Sequence, residues 1–229
     1  MKKKSAEEWV QEIHKNAVSH GWWDEERDFG EICALIHSEL SEALEEYRNG
    51  NPLVYYRCPH DKGVCNPQNC AETHRDPIYA EEPCDGRKPE GIAVELADVV
   101  IRIFDYFGKA QLFPHGNVFR PNAFITELTK RNGAEFNAIL KSREYTAMSN
   151  AIEKDGTYRS FGDFIAQLHA DVSAAYEVDA EGDQEIFLLE CVGRIGLRLE
   201  FLKLDLEAVI AEKHEYNKSR PYRHGGTVI

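Results

Sequence analysis

Apolar positions recur with helical spacing along most of the chain, and no segment shows convincing strand alternation. Residues 5–20 read as a short amphipathic helix with Trp9, Ile13 and Val18 on its apolar side. Residues 29–48 form a stronger one. At 100° per residue, Ile36, Leu40, Ala43, Leu44 and Tyr47 share one face, which is assigned to the core, and Asn49-Gly50-Asn51-Pro52 stops the helix. Residues 91–107, GIAVELADVVIRIFDYF, are apolar almost all round and predict a buried helix, with Gly108 as its terminator. Further helices are expected at 161–178, at about 184–202 and from Leu204 to about Lys218. PNAFITELTKRN and GAEFNAILKSREY are candidate short helices between them. Residues 51–90, rich in Pro, Asp, Gly and Cys, carry no period and read as a loop insertion. The pattern predicts an all-α fold on a four-helix-bundle core.

FGEICALIHSELSEALE (29–45) and FGDFIAQLHADVSAAYE (161–177) align without a gap, sharing Phe, Gly, Ala, His, Ser, Ala and Glu. Apolar periodicity alone does not bring Phe-Gly, His and Ser into register, so the alignment indicates a duplicated unit. The chain then divides into a first repeat over 1–110 that includes the 51–90 insertion, a helical connector over 111–160, and a degenerate second repeat over 161–229, together forming one compact unit. Glu42 stands opposite Ala174. Aligning Arg102 with Arg198 sets Glu95 opposite Cys191 and Asp98 opposite Arg194, so the second copy loses the acid pair. His37 and His169 persist where the acids do not, which marks them as polar groups satisfied at a helix contact.

The charged residues inside the apolar 92–107 helix are Glu95, Asp98, Arg102 and Asp105, at i, i+3, i+7 and i+10 on one narrow stripe. Ionised carboxylates are costly to bury without a partner, so the stripe faces solvent, an ion-pair partner or a cation. The simplest alternative is an Asp98–Arg102 i,i+4 pair. It leaves Glu95 unexplained. In IHSELSEALEE, Glu39, Glu42 and Glu46 also form one stripe, while Glu45 points elsewhere. Antiparallel helices facing each other would gather Glu39, Glu42, Glu95 and Asp98, an all-oxygen set suited to Mg²⁺ or Mn²⁺.

Charge and cysteines narrow the classes. A net charge of −13 lacks the basic footprint of a nucleic-acid groove, yet admits phosphate substrates bridged by divalent cations. No stretch approaches the ~18–20 apolar residues of a membrane span and no secretory leader is seen, so a cytoplasmic protein is expected. Cys58, Cys65, Cys70 and Cys84 crowd into the 51–90 loop. They are either ligands of a structural Zn²⁺ or else free thiols or redox-formed disulfides, and they lack the C-x₂-C spacing of common zinc sites. Cys33 and Cys191 lie on helices and are expected in the core.

SELSEAL followed by ELADVVIRIFD, with the tail KHEYNKSRPYRHGG, resembles the all-α nucleoside triphosphate pyrophosphohydrolases of the MazG-like superfamily, in particular its bacterial and phage subgroup. That superfamily also includes dimeric dUTPases and dCTP pyrophosphatases. The resemblance covers about half the chain; the hundred or so residues between the second acidic helix and the tail depart from the simple pattern. It implies Mg²⁺-dependent hydrolysis of a nucleoside triphosphate to monophosphate and pyrophosphate, with Glu39, Glu42, Glu95 and Asp98 as metal ligands and Glu46 as a candidate proton acceptor. Lys213, Asn217, Arg220 and Arg223 suit phosphate binding, although cations also gather at a helix C-terminus because of its dipole. Trp22 and Trp23 either stack on the base or belong to the core. A degenerate second copy implies a pseudo-dimeric monomer or a homodimer with one competent cluster per chain. The alternative is a non-catalytic nucleotide-binding or interaction module.

Overall fold

The computed structural model describes residues 3–57, 87–114, 158–178 and 183–222. These residues are mostly helical. Ser5 opens α1 (Ala6–Ser19) through a reciprocal capping box with Glu8. Asp28 caps α2 (Phe29–Arg48), whose end is marked by Asn49 and by Gly50 at φ 69°. After α2 the chain forms β1 (Tyr55–Arg57), antiparallel to β2 (Lys88–Glu90), with Tyr55 opposite Glu90. The chain continues as α3 (Ile92–Ala110), α4 (Phe161–Glu177), α5 (Asp183–Phe201) and α6 (Leu206–Lys218). Ser160 and Asp205 cap α4 and α6 by accepting backbone N–H groups of their first turns.

The apolar helix α3 is central. It packs against α1, α2, α5 and α6, while α4 bridges α2 and α5. Its Leu96, Phe104 and Phe107 are buried with Ile13 of α1, Ile36 and Leu40 of α2, Leu168 of α4, Ile195 of α5 and Ile210 of α6. Such all-round burial follows from a helix with apolar residues on every side but one. Cys33 and Cys191 are buried free thiols, as expected, and burial pushes the Cys33 thiol up to about 11.

Several expectations are corrected. Gly108 does not terminate α3, which continues to Ala110 and closes at Gln111 in the left-handed region (φ 57°). Its role is close approach: a Cβ on Gly108 would lie 2.3 Å from His14 Cβ, so the missing side chain lets α1 and α3 touch. Tyr47 is half exposed and stacks on Phe161, with ring centroids 4.6 Å apart. Val18 is also exposed, and Ala17 takes the buried position in α1. The β1–β2 ladder escapes a periodicity search because each strand is three residues long and its partner lies beyond the insertion. Gly91, at φ 113°, carries the chain from β2 into α3 where a Cβ would stand 2.6 Å from the Pro52 carbonyl oxygen. Cys58, Cys65, Cys70, Cys84, Arg223 and both candidate helices of the connector lie outside the described residues. Among the described residues, no helix is long and apolar enough to cross a membrane.

Candidate functional site

One helical turn separates Glu39 from Glu42 on α2, and α3 sets Glu95 opposite them. One carboxylate oxygen from each of the three lies within 4.8 Å of the others. Glu39 and Glu95 are buried and Glu42 is exposed, so the cluster opens to solvent on the Glu42 side. It lies in the wall of a cleft of about 350 Å³, shared with Asp98, Asp105, Arg102, Lys213, Asn217, Arg220 and Trp22. The whole α3 stripe lines this cleft.

Two cations enter the acid group. Arg102 Nε donates to Glu39 Oε1 at 3.0 Å, and its guanidinium lies 4.3 Å from the Trp22 ring centroid, a cation–π distance. Lys213 Nζ lies 2.6 Å from Asp98 Oδ2. The expected alternative of an intrahelical Asp98–Arg102 pair is therefore replaced by two longer-range pairs. Burial disfavours the Lys213 ammonium, but Asp98 and Glu95 outweigh it and hold its pKa above the ordinary lysine value.

These cations do not neutralise the cluster. Burial pushes Glu95 up to about 8, with Lys213 opposing the shift and Asp98, Glu39 and Glu42 reinforcing it. Glu39 is raised by burial and by Asp98 against the pull of Arg102. Both shifts owe most to burial, and the neighbouring carboxylates add to them.

The other candidate residues divide. Asn217 lines the cleft with its Oδ1 buried and without a hydrogen-bond partner among the described residues. Arg220 also lines the cleft, and burial lowers its pKa. Trp22 is on the cleft, whereas Trp23 turns its Nε1 to Asp105 Oδ1 at 2.8 Å and helps enclose a small adjoining cavity. Glu46 is not brought to the cluster. It accepts from Asn51 Nδ2 at 3.0 Å and Tyr55 Oη at 3.3 Å, beside β1. In the sequence Asp105 and Arg102 stand out only as members of the stripe. The i, i+3, i+7, i+10 pattern was the signal for both.

Away from the cleft, Arg194 Nε donates to Asp171 Oδ2 at 2.7 Å in a buried pair. Between α2 and α4, His37 Nδ1 and His169 Nδ1 are 2.7 Å apart, and the rings stack with centroids at 4.9 Å. At this separation one nitrogen donates and the other accepts.

No family model, curated protein or solved structure matches the chain.

Proposed function

We propose that this protein is a divalent-cation-dependent nucleoside triphosphate pyrophosphohydrolase of the MazG-like type. The observation that carries the reading is the Glu39–Glu42–Glu95 cluster sharing one cleft with Lys213, Asn217 and Arg220. Three carboxylate oxygens at this spacing, two of them on buried residues, fit a hard cation such as Mg²⁺ or Mn²⁺. The raised pKa of Glu95 is compatible with the fit, because a bound cation would favour the charged carboxylate that burial and the neighbouring acids disfavour. When bound, such an ion supplies neutralisation of phosphate oxygens and a more acidic water. Asp98 would complete the four-acid set only on release from Lys213.

The chain's own groups have distinct parts. Lys213 and Arg220 bind phosphate oxygens, and Asn217 donates from its Nδ2 to the same oxygens, while its buried Oδ1 accepts from a water or hydroxyl. Trp22 presents an aromatic face towards the base. In the reaction a water oxygen bonds to the α-phosphorus, the α–β bridging bond breaks, and pyrophosphate leaves with the electron pair. The water's proton passes to an acid on the cleft; Asp98, outside the three-carboxylate cluster, replaces Glu46 in that part.

The same reading takes α2–α3 and α4–α5 as two copies of one helical pair around a four-helix core. The His37–His169 contact then falls where equivalent residues of the two copies meet. Asp171–Arg194 repeats Glu39–Arg102, which makes Arg194 the counterpart of Arg102, four residues before the Arg198 chosen by spacing. In that register Phe187 stands at Glu95 and Glu190 at Asp98, while Ala174 stands at Glu42. The second copy would keep the ion pair and lose the three-acid cluster, as suits a pseudo-dimeric monomer.

Incubation with each NTP and dNTP, with Mg²⁺ or Mn²⁺, tests the proposal. Monophosphate and pyrophosphate in equal amounts are expected, and cleavage of none rejects it. A non-catalytic nucleotide-binding module is the second reading, favoured by the Lys213–Asp98 pair that closes part of the acid set.

A further inference from the structure

Asp105 occupies the far end of the α3 stripe and faces both the main cleft and the small cavity beside it. Its two oxygens are used unequally. Trp23 Nε1 donates to Oδ1 at 2.8 Å, and His14 Nδ1 lies 2.8 Å from the same oxygen, a contact in which the ring nitrogen must donate because a carboxylate only accepts. No described residue donates to Oδ2. The side chain is 14% exposed, so the carboxylate is held rigidly with one acceptor to offer.

The surroundings define what that acceptor meets. The adjoining cavity, at about 20 Å³, has room for little more than a water, but at the Asp105 end of the main cleft Trp22, Leu35 and Ile101 supply apolar walls, one of them an indole, which suit a heteroaromatic ring better than a sugar. Along α3, Asp105 lies about 10 Å from Asp98 and about 15 Å from Glu95 at 1.5 Å per residue. That span is comparable to the reach from the α-phosphate of an extended nucleotide to the far edge of its base. With phosphates at the Lys213 end, the base edge arrives at Asp105.

We infer that Asp105 is a base-selecting residue whose Oδ2 accepts from an exocyclic amino group, so that 4-amino pyrimidines and 6-amino purines are preferred over their oxo counterparts. A carbonyl oxygen at the same place would meet the carboxylate lone pairs with no proton between them. Donation from an amino group to a charged acceptor corresponds to about ten- to hundredfold in affinity. The inference rests on the nucleotide reading above, but not on turnover.

The test compares two near-isosteric pairs, dCTP with dUTP and dATP with dITP. Selectivity is read as kcat/KM and, separately, as Kd for the uncleavable α,β-imido analogues of dCTP and dUTP, followed by tryptophan fluorescence. The wild type should prefer the amino member of each pair. Asp105→Asn keeps an oxygen for Trp23 and His14 but presents N–H in place of Oδ2, so it should erase or reverse the preference. Equal use of amino and oxo bases by the wild type, or an unchanged preference in Asp105→Asn, overturns the inference. Selective analogue binding without cleavage leaves it standing and rejects the hydrolase; cleavage without selectivity does the reverse. If neither analogue binds, both fall. If circular dichroism shows Asp105→Asn unfolded, Asp105→Glu, which moves the carboxylate outward by one methylene, must change the ratio, and an unchanged ratio overturns the inference.

Discussion

Lys213 Nζ lies 2.6 Å from Asp98 Oδ2, and only 4% of the lysine is exposed. The ammonium therefore acts as an internal counter-ion for an acid group that a divalent cation would also neutralise. Removing one partner of a buried pair leaves the other charge uncompensated, at about 3 kcal/mol or more. Lys213→Met should therefore melt earlier than the wild type without added metal, and Mg²⁺ should raise its melting temperature by more than it raises the wild type's. Thermal scans with and without Mg²⁺ check this. Equal Mg²⁺ shifts in the two proteins would mean that ammonium and cation do not share the site.

Glu95 predicts an unusual slope of stability with pH. Its folded pKa of about 8 lies above the ordinary value of 4.5. Between those values the folded chain holds a proton that the unfolded chain has lost, so this contribution is complete below about pH 4.5 and disappears as pH rises through 8. One proton sets its steepness at no more than about 1.4 kcal/mol per pH unit. His37 and His169 act oppositely. Burial lowers both, so their contribution is lost as pH falls below about 6.5. The Glu95 part is isolated by the difference between wild type and Glu95→Gln in denaturant titrations from pH 5 to 9. Without metal the wild type should lose ground to the variant as pH rises, and Mg²⁺ should remove that trend. A difference independent of pH would contradict it.

What sequence made visible was angular position; what it concealed was reach along and between helices. The α3 stripe lines the cleft over its full length because an apolar helix leaves its charges only one direction to face. Glu46 shares the angle of Glu39 and Glu42 but lies about 6 Å further along α2 than Glu42. There Asn51 and Tyr55 take it up instead. The tyrosine comes from a strand too short to show alternation. Lys213 and Asp98 belong to helices distant in sequence, so no local spacing announces their pair. The Arg194–Asp171 pair is likewise invisible to local spacing, because its partners lie on separate helices 23 residues apart.

Gly108 makes a prediction about stability without involving the acid cluster. With a Cβ at 2.3 Å from His14 Cβ, Gly108→Ala must push α1 away from α3. Overpacking of this kind costs about 2–3 kcal/mol, although alanine is the better helix former. His14→Gly should relieve most of the added cost, giving a coupling that a double-mutant cycle in urea can measure. Additive losses would show that the two helices adjust independently.

Glu42 and Asp171 separate the two acid sets by opposite signatures. Glu42 is exposed, and its hydrogen-bond contact among the described residues is a long one, Ser38 Oγ at 3.5 Å. Glu42→Gln should therefore leave the unfolding free energy within about 0.5 kcal/mol. It removes one carboxylate from the three-acid cluster, so nucleotide cleavage should fall to background and the Mg²⁺ shift in melting temperature should shrink. Asp171 is buried against Arg194, with 5% and 4% of the two side chains exposed. Asp171→Asn removes the carboxylate to which the buried Arg194 Nε donates and should lower stability by about 3 kcal/mol. Below its lowered transition, however, activity per folded molecule should match the wild type. The paired measurement is pyrophosphate release normalised to the folded fraction, alongside unfolding curves for both variants. If the two substitutions reduce normalised release equally, the second set takes part in the reaction. If neither does, the cluster is not the centre of hydrolysis. Loss confined to Glu42→Gln is the outcome expected of a fold that keeps one acid set for chemistry and its counterpart for packing.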